Sequence, residues 1–300
     1  MLDTGWLWIV FTLLAAAGQT IRNAMQRELT ATLGTAGATH VRFLFGFPFA
    51  ILFLCGLMIV TGASLPNPPP VFWLWVLLGM GAQALATALM LMAMGERSFV
   101  VTIAYIKTEP VQVALFGLIF LGDKLTAGMI AAILIATAGV IVMSLKPGGA
   151  AADNSWRPTM LGLASGAAFA FSAIGYRGGI LSLGLSDYVM AATFTLTVGL
   201  IMQAGMLTTL LMVRSPEVMR AIIKEWRPSL FAGFMGATAS QFWFLAFALA
   251  TAASVRTLAL VEVLFAQAIS SFVFGHKTTM REGLGIALIV IGVVLLIWTH

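Results

Sequence analysis

Charge is what this chain has least of. Asp, Glu, Lys and Arg make up 9% of its 300 residues, against 60% hydrophobic residues and a mean hydropathy of +1.02. Soluble domains draw about 25% of their residues from those four types. A water-facing surface for a protein of this length needs more of them, so lipid is expected to be the main solvent. Cysteine is almost absent, with Cys55 alone, which excludes an internal disulfide and any paired-thiol motif. Histidine occurs three times, scattered and without metal-ligand spacing. No nucleophile elbow or phosphate-binding loop occurs either, so no catalytic residue, enzyme activity, metal or cofactor is expected. The run Gly79-x-Gly81-x-x-Ala84 mimics part of a dinucleotide fingerprint, but it lies inside an apolar stretch and that motif needs a preceding strand. The net charge of +5 and pI near 9.8 form no basic stripe on a soluble face, which argues against a nucleic-acid partner. No basic segment precedes the first apolar run at Trp6, so a membrane helix rather than a cleavable leader is expected there.

What the chain has in abundance is long apolar runs. A spanning helix needs about 20 mostly apolar residues, and ten stretches qualify: 6–26, 36–60, 71–94, 98–121, 127–145, 159–181, 187–213, 228–250, 253–274 and 282–299. The loop Thr61–Pro70, TGASLPNPPP, cannot continue a helix. The segment Lys146–Arg157 is the most polar connection near mid-chain. Across that seam the chain repeats. At a separation of 153 residues Glu109 meets Glu262, Gly122 meets Gly275, Lys124 meets Lys277 and Gly139 meets Gly292. The expected fold class is therefore an all-α polytopic membrane protein of ten transmembrane helices in two five-helix repeats. The first covers 1–147, a connecting loop covers 148–157, and the second covers 158–300. Five is odd, so the second copy enters from the opposite face and the repeats are inverted, an arrangement that places solute sites near the midplane.

Cations gather in one set of gaps: Arg22 and Arg27, Arg97, Lys146 and Arg157, then Arg214, Arg220, Lys224 and Arg227, and finally Lys277 and Arg281. By the positive-inside bias both termini are expected outside, in a cell membrane, or the inner membrane of a Gram-negative source.

Ionisable groups at mid-helix are the strongest pointers to function, since each costs roughly 2.5–3.5 kcal/mol there on insertion scales. Lys107 and Glu109 lie in the fourth stretch and Glu262 in the ninth. Two residues turn a helix by about 200°, so Lys107 and Glu109 cannot face each other and at least one needs a partner elsewhere. Tyr105 and Gln112 fall on the face of Glu109, and Leu258 and Phe265 on that of Glu262. The glutamates are read two ways: as structural partners of Lys or Arg, or as contacts for a solute or coupling proton. Pro110 frees the carbonyl of Ile106 and marks a kink. Further candidates are His40 and Arg42 at the start of the second stretch, Arg256 one turn into the ninth, and Gln19 with Arg22 and Asn23 closing the first. Tyr176 and Arg177 stand in the matching place of the sixth. The bland reading for these arginines is snorkelling to headgroups. Gln83, Gln241 and Gln267 are either interhelical bonds or cavity groups, and Trp243 either lines a cavity or packs. Gly162-x-x-x-Gly166 and the pair Gly233 and Gly236 mark close helix packing.

This pattern resembles the drug/metabolite transporter superfamily, in particular its EamA-type ten-helix carriers. The resemblance rests on the 5+5 repeat and on Glu109-Pro110 followed by an apolar run ending Phe120-Leu121-Gly122-Asp123. The second copy departs from it, with Glu262-Val263 lacking the proline and Phe274-Gly275-His276 in place of the acidic ending. The resemblance implies export or exchange of small polar metabolites, such as amino acids, or of drugs and lipophilic cations, without a cofactor. The implied partners are a small-molecule solute, the bilayer, and a coupling proton or counter-substrate, with no oligomer required. Members often keep both termini in the cytoplasm, the reverse of the charge pattern here. A non-transport membrane scaffold or assembly subunit is the alternative from another class.

Overall fold

The computed structural model describes residues 5–96, 105–144, 156–265, 267 and 279–299. Eleven α-helices run through them, and no strand occurs among the described residues. They are α1 (Leu7–Leu44), α2 (Phe47–Thr61), α3 (Pro70–Glu96), α4 (Glu109–Phe116), α5 (Ala127–Ser144), α6 (Arg157–Ser182), α7 (Tyr188–Arg214), α8 (Pro216–Lys224), α9 (Trp226–Leu249), α10 (Ala252–Leu258) and α11 (Met280–Thr299). Six helical spans are long and apolar enough to cross a membrane, the first of them formed where α1 runs on into α2. Their exposed faces carry large apolar side chains such as Ile59, Val60, Val213 and Trp298, each more than three-quarters accessible, as expected of helices whose solvent is hydrocarbon. Most of the linker 148–157, together with Arg97, Lys146, Gly275, Lys277 and the side chain of Arg27, lies outside the described residues.

The helices differ from the ten expected runs in four places. The gap read between the first two stretches is helical: α1 continues through it and breaks at Gly34 alone (φ 66°, ψ 176°). That backbone conformation is open only to glycine, and Gln26 Nε2 crosses the break to the Ala38 carbonyl at 2.9 Å. His40 and Arg42 therefore end α1 instead of opening the second span, whose helix starts at Phe47 with Pro48 in its first turn. The basic segment after Arg214 is a short helix, α8, in which Val218 and Ile222 pack against Gly37 while Arg220 and Lys224 point outward. Its alternation of apolar and charged residues carries that geometry.

The other two differences are interruptions. The fourth run is broken at Lys107–Thr108, after which α4 begins at Glu109 and opens into a π-helical turn, Gly117–Leu121. The ninth is broken at Ala259–Leu260, and helical residues resume at 261–265. Three-residue turns cross each break: Thr108 N–H donates to the Tyr105 carbonyl and Val111 N–H to Thr108, then Leu260 N–H to Thr257 and Glu262 N–H to Ala259. At the 153-residue separation the two breaks fall within one residue of each other.

The chain clusters into two compact units. One comprises Met1–Ala84 and Gly175–Ala250, the other Leu85–Ile174 and Thr251–His300. Each draws on both sequence halves, and α3 and α6 contribute to both. In the first unit α1 lies on α9, where Gly18 meets Ala239 and Phe11 stacks on Phe242 at 6.2 Å. There too the first part of α3 presses on the last part of α6, with Gly175 against the backbone of Gly79. In the second unit α5 lies on α11. A Cβ at Gly139 would stand 2.8 Å from the Gly285 carbonyl, and one at Gly292 would stand 2.7 Å from Ala136. Without a hydrophobic drive between helices in lipid, such close backbone contact is what binds them.

Gly292→Ala is expected to force α5 and α11 apart and cost about 1–3 kcal/mol, measured as a lower melting temperature in detergent. Gly283→Ala, with no atom within 4 Å of the added methyl, is expected to leave it unchanged.

Candidate functional site

In the second unit the mid-helix charges form two ion pairs at the interrupted segments. Lys107 Nζ pairs with Glu262 Oε1, and Arg256 Nε lies 3.0 Å from Glu109 Oε1. All four side chains are at most 10% exposed. The Arg256 Nε–H is not aimed along the line to Glu109 Oε1, so the contact is ionic rather than a directed hydrogen bond. Lys107 and Glu109 thus each find a partner from the other half of the chain, where the 200° of a continuous helix called for this of at least one. The breaks explain the placement. Ending one helix at residue 106 and starting another at 109 turns Lys107 toward the Glu262 carboxylate and Glu109 toward the Arg256 guanidinium on the opposite interrupted segment. With two cations and two anions the quartet is neutral, the condition under which charges persist in a low-dielectric interior.

Glycines of α6 seat the first break. A Cβ at Gly162 would stand 2.7 Å from Tyr105, and one at Gly166 3.1 Å from the carbonyl oxygen of Ile106, the group Pro110 leaves without its helical donor. Gln112 Nε2 reaches back to Thr108 Oγ1 at 3.3 Å. Leu258 is buried and Phe265 exposed, so the Glu262 side offers fewer polar groups than the Glu109 side.

The first unit holds a different set of buried polar groups. Arg22 and Arg42 are 2% and 3% exposed, which corrects the expectation that they snorkel. Each is reached from a different arm of α1, and both stems pack on Gly236, whose missing Cβ would be 3.4 Å from Arg22 Cδ and 3.4 Å from Arg42 Cγ. Arg22 Nη2 donates to Asn23 Oδ1 at 2.8 Å. Arg177, also expected at headgroups, donates through Nε to the Ala250 carbonyl at 3.0 Å and caps the end of α9. With Arg22 buried, the positive-inside signal rests, among the described residues, on the exposed Arg157, Arg214, Arg220, Lys224, Arg227 and Arg281.

The first unit also holds several neutral polar contacts between helices. Tyr176 OH donates to Gln83 Oε1 at 3.2 Å, and Gln203 Nε2 donates to the same oxygen at 3.0 Å and to the Met80 carbonyl at 3.0 Å. Trp243 Nε1 donates to Gln19 Oε1 at 3.1 Å, Gln241 Nε2 to Thr193 Oγ1 at 2.8 Å, and His40 Nε2 meets Thr208 Oγ1 at 3.0 Å. The Tyr176 ring lies on Phe244 and against Gly199. Gln83, Gln241, Gln19, Trp243, Tyr176 and His40 thus all make interhelical hydrogen bonds inside one unit. Gln203, Thr193 and Thr208 were not singled out from the sequence. Gln203, a lone amide in an apolar run like Gln83 and Gln241, carried the signal that would have found it.

No protein-family profile matches this chain, and no curated relative does. A solved crystal structure, described only as that of a protein, is similar over 95% of this chain and 95% of its own, with a TM-score of 0.70 at 15% identity. The likeness covers the fold from end to end and extends to nothing else.

Lys107→Met alone leaves Glu262 charged and buried and is expected to cost about 3–5 kcal/mol. The double replacement Lys107→Met/Glu262→Leu is expected to recover most of that loss, read as melting temperatures of the purified variants. A single variant as stable as the parent would show that the pair contributes nothing.

Proposed function

We propose that the protein is a secondary membrane carrier, an exporter or exchanger of small polar metabolites in the amino-acid size range, working by alternating access between two inverted five-helix repeats. One observation carries the reading: two apolar segments, in register across the 153-residue repeat, both break in mid-run and bear cross-paired buried charges at the breaks. Interrupted helices with internal polar groups are the device by which carriers of inverted-repeat architecture hold solutes at the midplane. A packing role alone would favour unbroken helices, which satisfy every backbone group in lipid without help. The resemblance to the EamA-type carriers of the drug/metabolite transporter superfamily points the same way. The cations around α8 support an inside location for that helix and outside termini.

Export of lipophilic cations is less well supported. It calls for a carboxylate free to meet the cation in an aromatic setting, and both buried glutamates are paired with Lys107 or Arg256. A scaffold role gives no reason for charges at matched breaks.

Reconstituted into proteoliposomes, Glu109→Gln and the apolar double variant Lys107→Met/Glu262→Leu are expected to lower solute flux by at least about tenfold, the equivalent of one lost polar contact of 1.4 kcal/mol. Wild-type flux in both would remove these residues from binding and coupling.

A further inference from the structure

The joint between α7 and α9 has to run along the membrane surface. α7 ends at Arg214 just after the exposed Met212 and Val213, and α9 begins at Trp226 just before the exposed Leu230 and Phe231. Hydrocarbon therefore lies against the chain on both sides of the joint, and the two helices are packed neighbours. α8 fills the gap with nine residues, a rise of about 13 Å. That length suits the step between adjacent helices and is too short for another crossing.

Seated there, α8 has two faces. Val218 and Ile222 turn inward onto Gly37, with Val218 Cγ1 3.1 Å and Ile222 Cγ1 3.8 Å from where a Cβ would stand. Glu217, Arg220, Ile223 and Lys224 are exposed, and their spacing in threes and fours puts them on one outward face. Arg214 and Arg227, also exposed, flank the helix. The Arg227 guanidinium stands over the Trp226 ring, 5.4 Å from its centroid, and tryptophan is a side chain that settles at headgroup depth.

Charge and apolarity are mixed on this surface in a way that water alone does not ask for. Ile223 and Trp226, three residues apart, are large, apolar and exposed, and they are set among Arg220, Lys224 and Arg227. The cations Arg214, Arg220, Lys224 and Arg227 outnumber the acids Glu217 and Glu225. Among the described residues none of these four cations is in an ion pair. Cations beside an apolar ledge at the edge of hydrocarbon complement the surface of an anionic bilayer. A soluble anion would meet the cations and leave Ile223 and Trp226 in water.

We propose that α8 and its flanks form a docking surface for anionic membrane lipids, in which Arg214, Arg220, Lys224 and Arg227 hold phosphodiester headgroups while Ile223 and Trp226 enter the acyl boundary. The surface is independent of the solute carried. The inner face of α8 holds Gly37, three residues beyond the break of α1 at Gly34. A lipid on the outer face therefore also steadies the second arm of α1.

The test uses the full chain, stripped of lipid in detergent and titrated with phosphatidylglycerol, phosphatidylcholine or glycerol 3-phosphate while thermal unfolding is followed. Phosphatidylglycerol is expected to raise the melting temperature in a saturable way. Phosphatidylcholine is expected to need at least about tenfold more lipid for the same rise, and glycerol 3-phosphate to have no effect. Salt on the order of 1 M, where the screening length falls to about 3 Å, is expected to erase the difference between the two lipids. Arg220→Gln/Lys224→Gln is expected to weaken phosphatidylglycerol binding on the order of tenfold, and Ile223→Ser to weaken both lipids alike. Lys124→Gln, which removes an exposed cation of the other unit, is expected to change neither. A phosphatidylglycerol with a diazirine in its headgroup, crosslinked to the parent protein and mapped by mass spectrometry, needs no variant and is expected to label residues 214–227.

Equal binding of the two lipids, unchanged binding in the α8 double variant, an equal loss in Lys124→Gln, or labelling that spares 214–227 overturns the proposal. Equal stabilisation by glycerol 3-phosphate would assign the cations to a soluble anion. A dimer that the α8 double variant abolishes while lipid binding stays intact would assign the face to a second copy of the chain. Either of those results also overturns the lipid surface.

Discussion

The pairing of Lys107 with Glu262 and of Arg256 with Glu109 is the constraint around which the second unit is arranged. Four ionic groups in an apolar interior are tolerated only when each meets its opposite, and an unbroken helix cannot turn residues 107 and 109 to partners on the same neighbour. The breaks and the glycines of α6 that let the first break approach follow from that requirement. Each is a place where backbone geometry yields so that charge can be neutralised.

Much of this was legible in the sequence. The apolar runs announce the helices because hydrocarbon demands length and apolarity together, and the mid-run charges announce their own burial because exposure to lipid is so costly. What the sequence did not disclose was where helices stop. Pro110 signals the first break through its missing donor, but Ala259–Leu260 has no proline or glycine, and only tertiary packing interrupts the helix there. Gly34 was indistinguishable by type from the other glycines of the chain, yet it alone breaks α1. The segment around Arg220 looked like a polar loop because its apolar residues, Val218, Met219, Ile222 and Ile223, are too few to register as a span, although they suffice for one face of a short helix.

The candidate site was legible by residue type more than by role. Lys107, Glu109 and Glu262 fall together as their depth implied, whereas Arg256, read from its place one turn into its stretch as snorkelling to headgroups, is instead buried against Glu109. Gln83, Tyr176, Gln241, Trp243, Gln19, His40 and Arg42 belong to the other unit, with their own partners. Arg22 was misread because proximity to a presumed helix end suggests a route to headgroups, and that end does not exist: α1 continues past it for another 22 residues.

That continuation gives Gly34 a larger part than a bend. Twenty positions separate Arg22 from Arg42, which in a straight helix is about 30 Å, the thickness of a bilayer core. The two cations would then stand at opposite faces of the membrane, each within reach of water. One pair of backbone angles folds that distance away and brings both onto the same glycine. The separation of the two charges is therefore a torsional property of a single residue. The bend there is an elbow that sets where both charges stand.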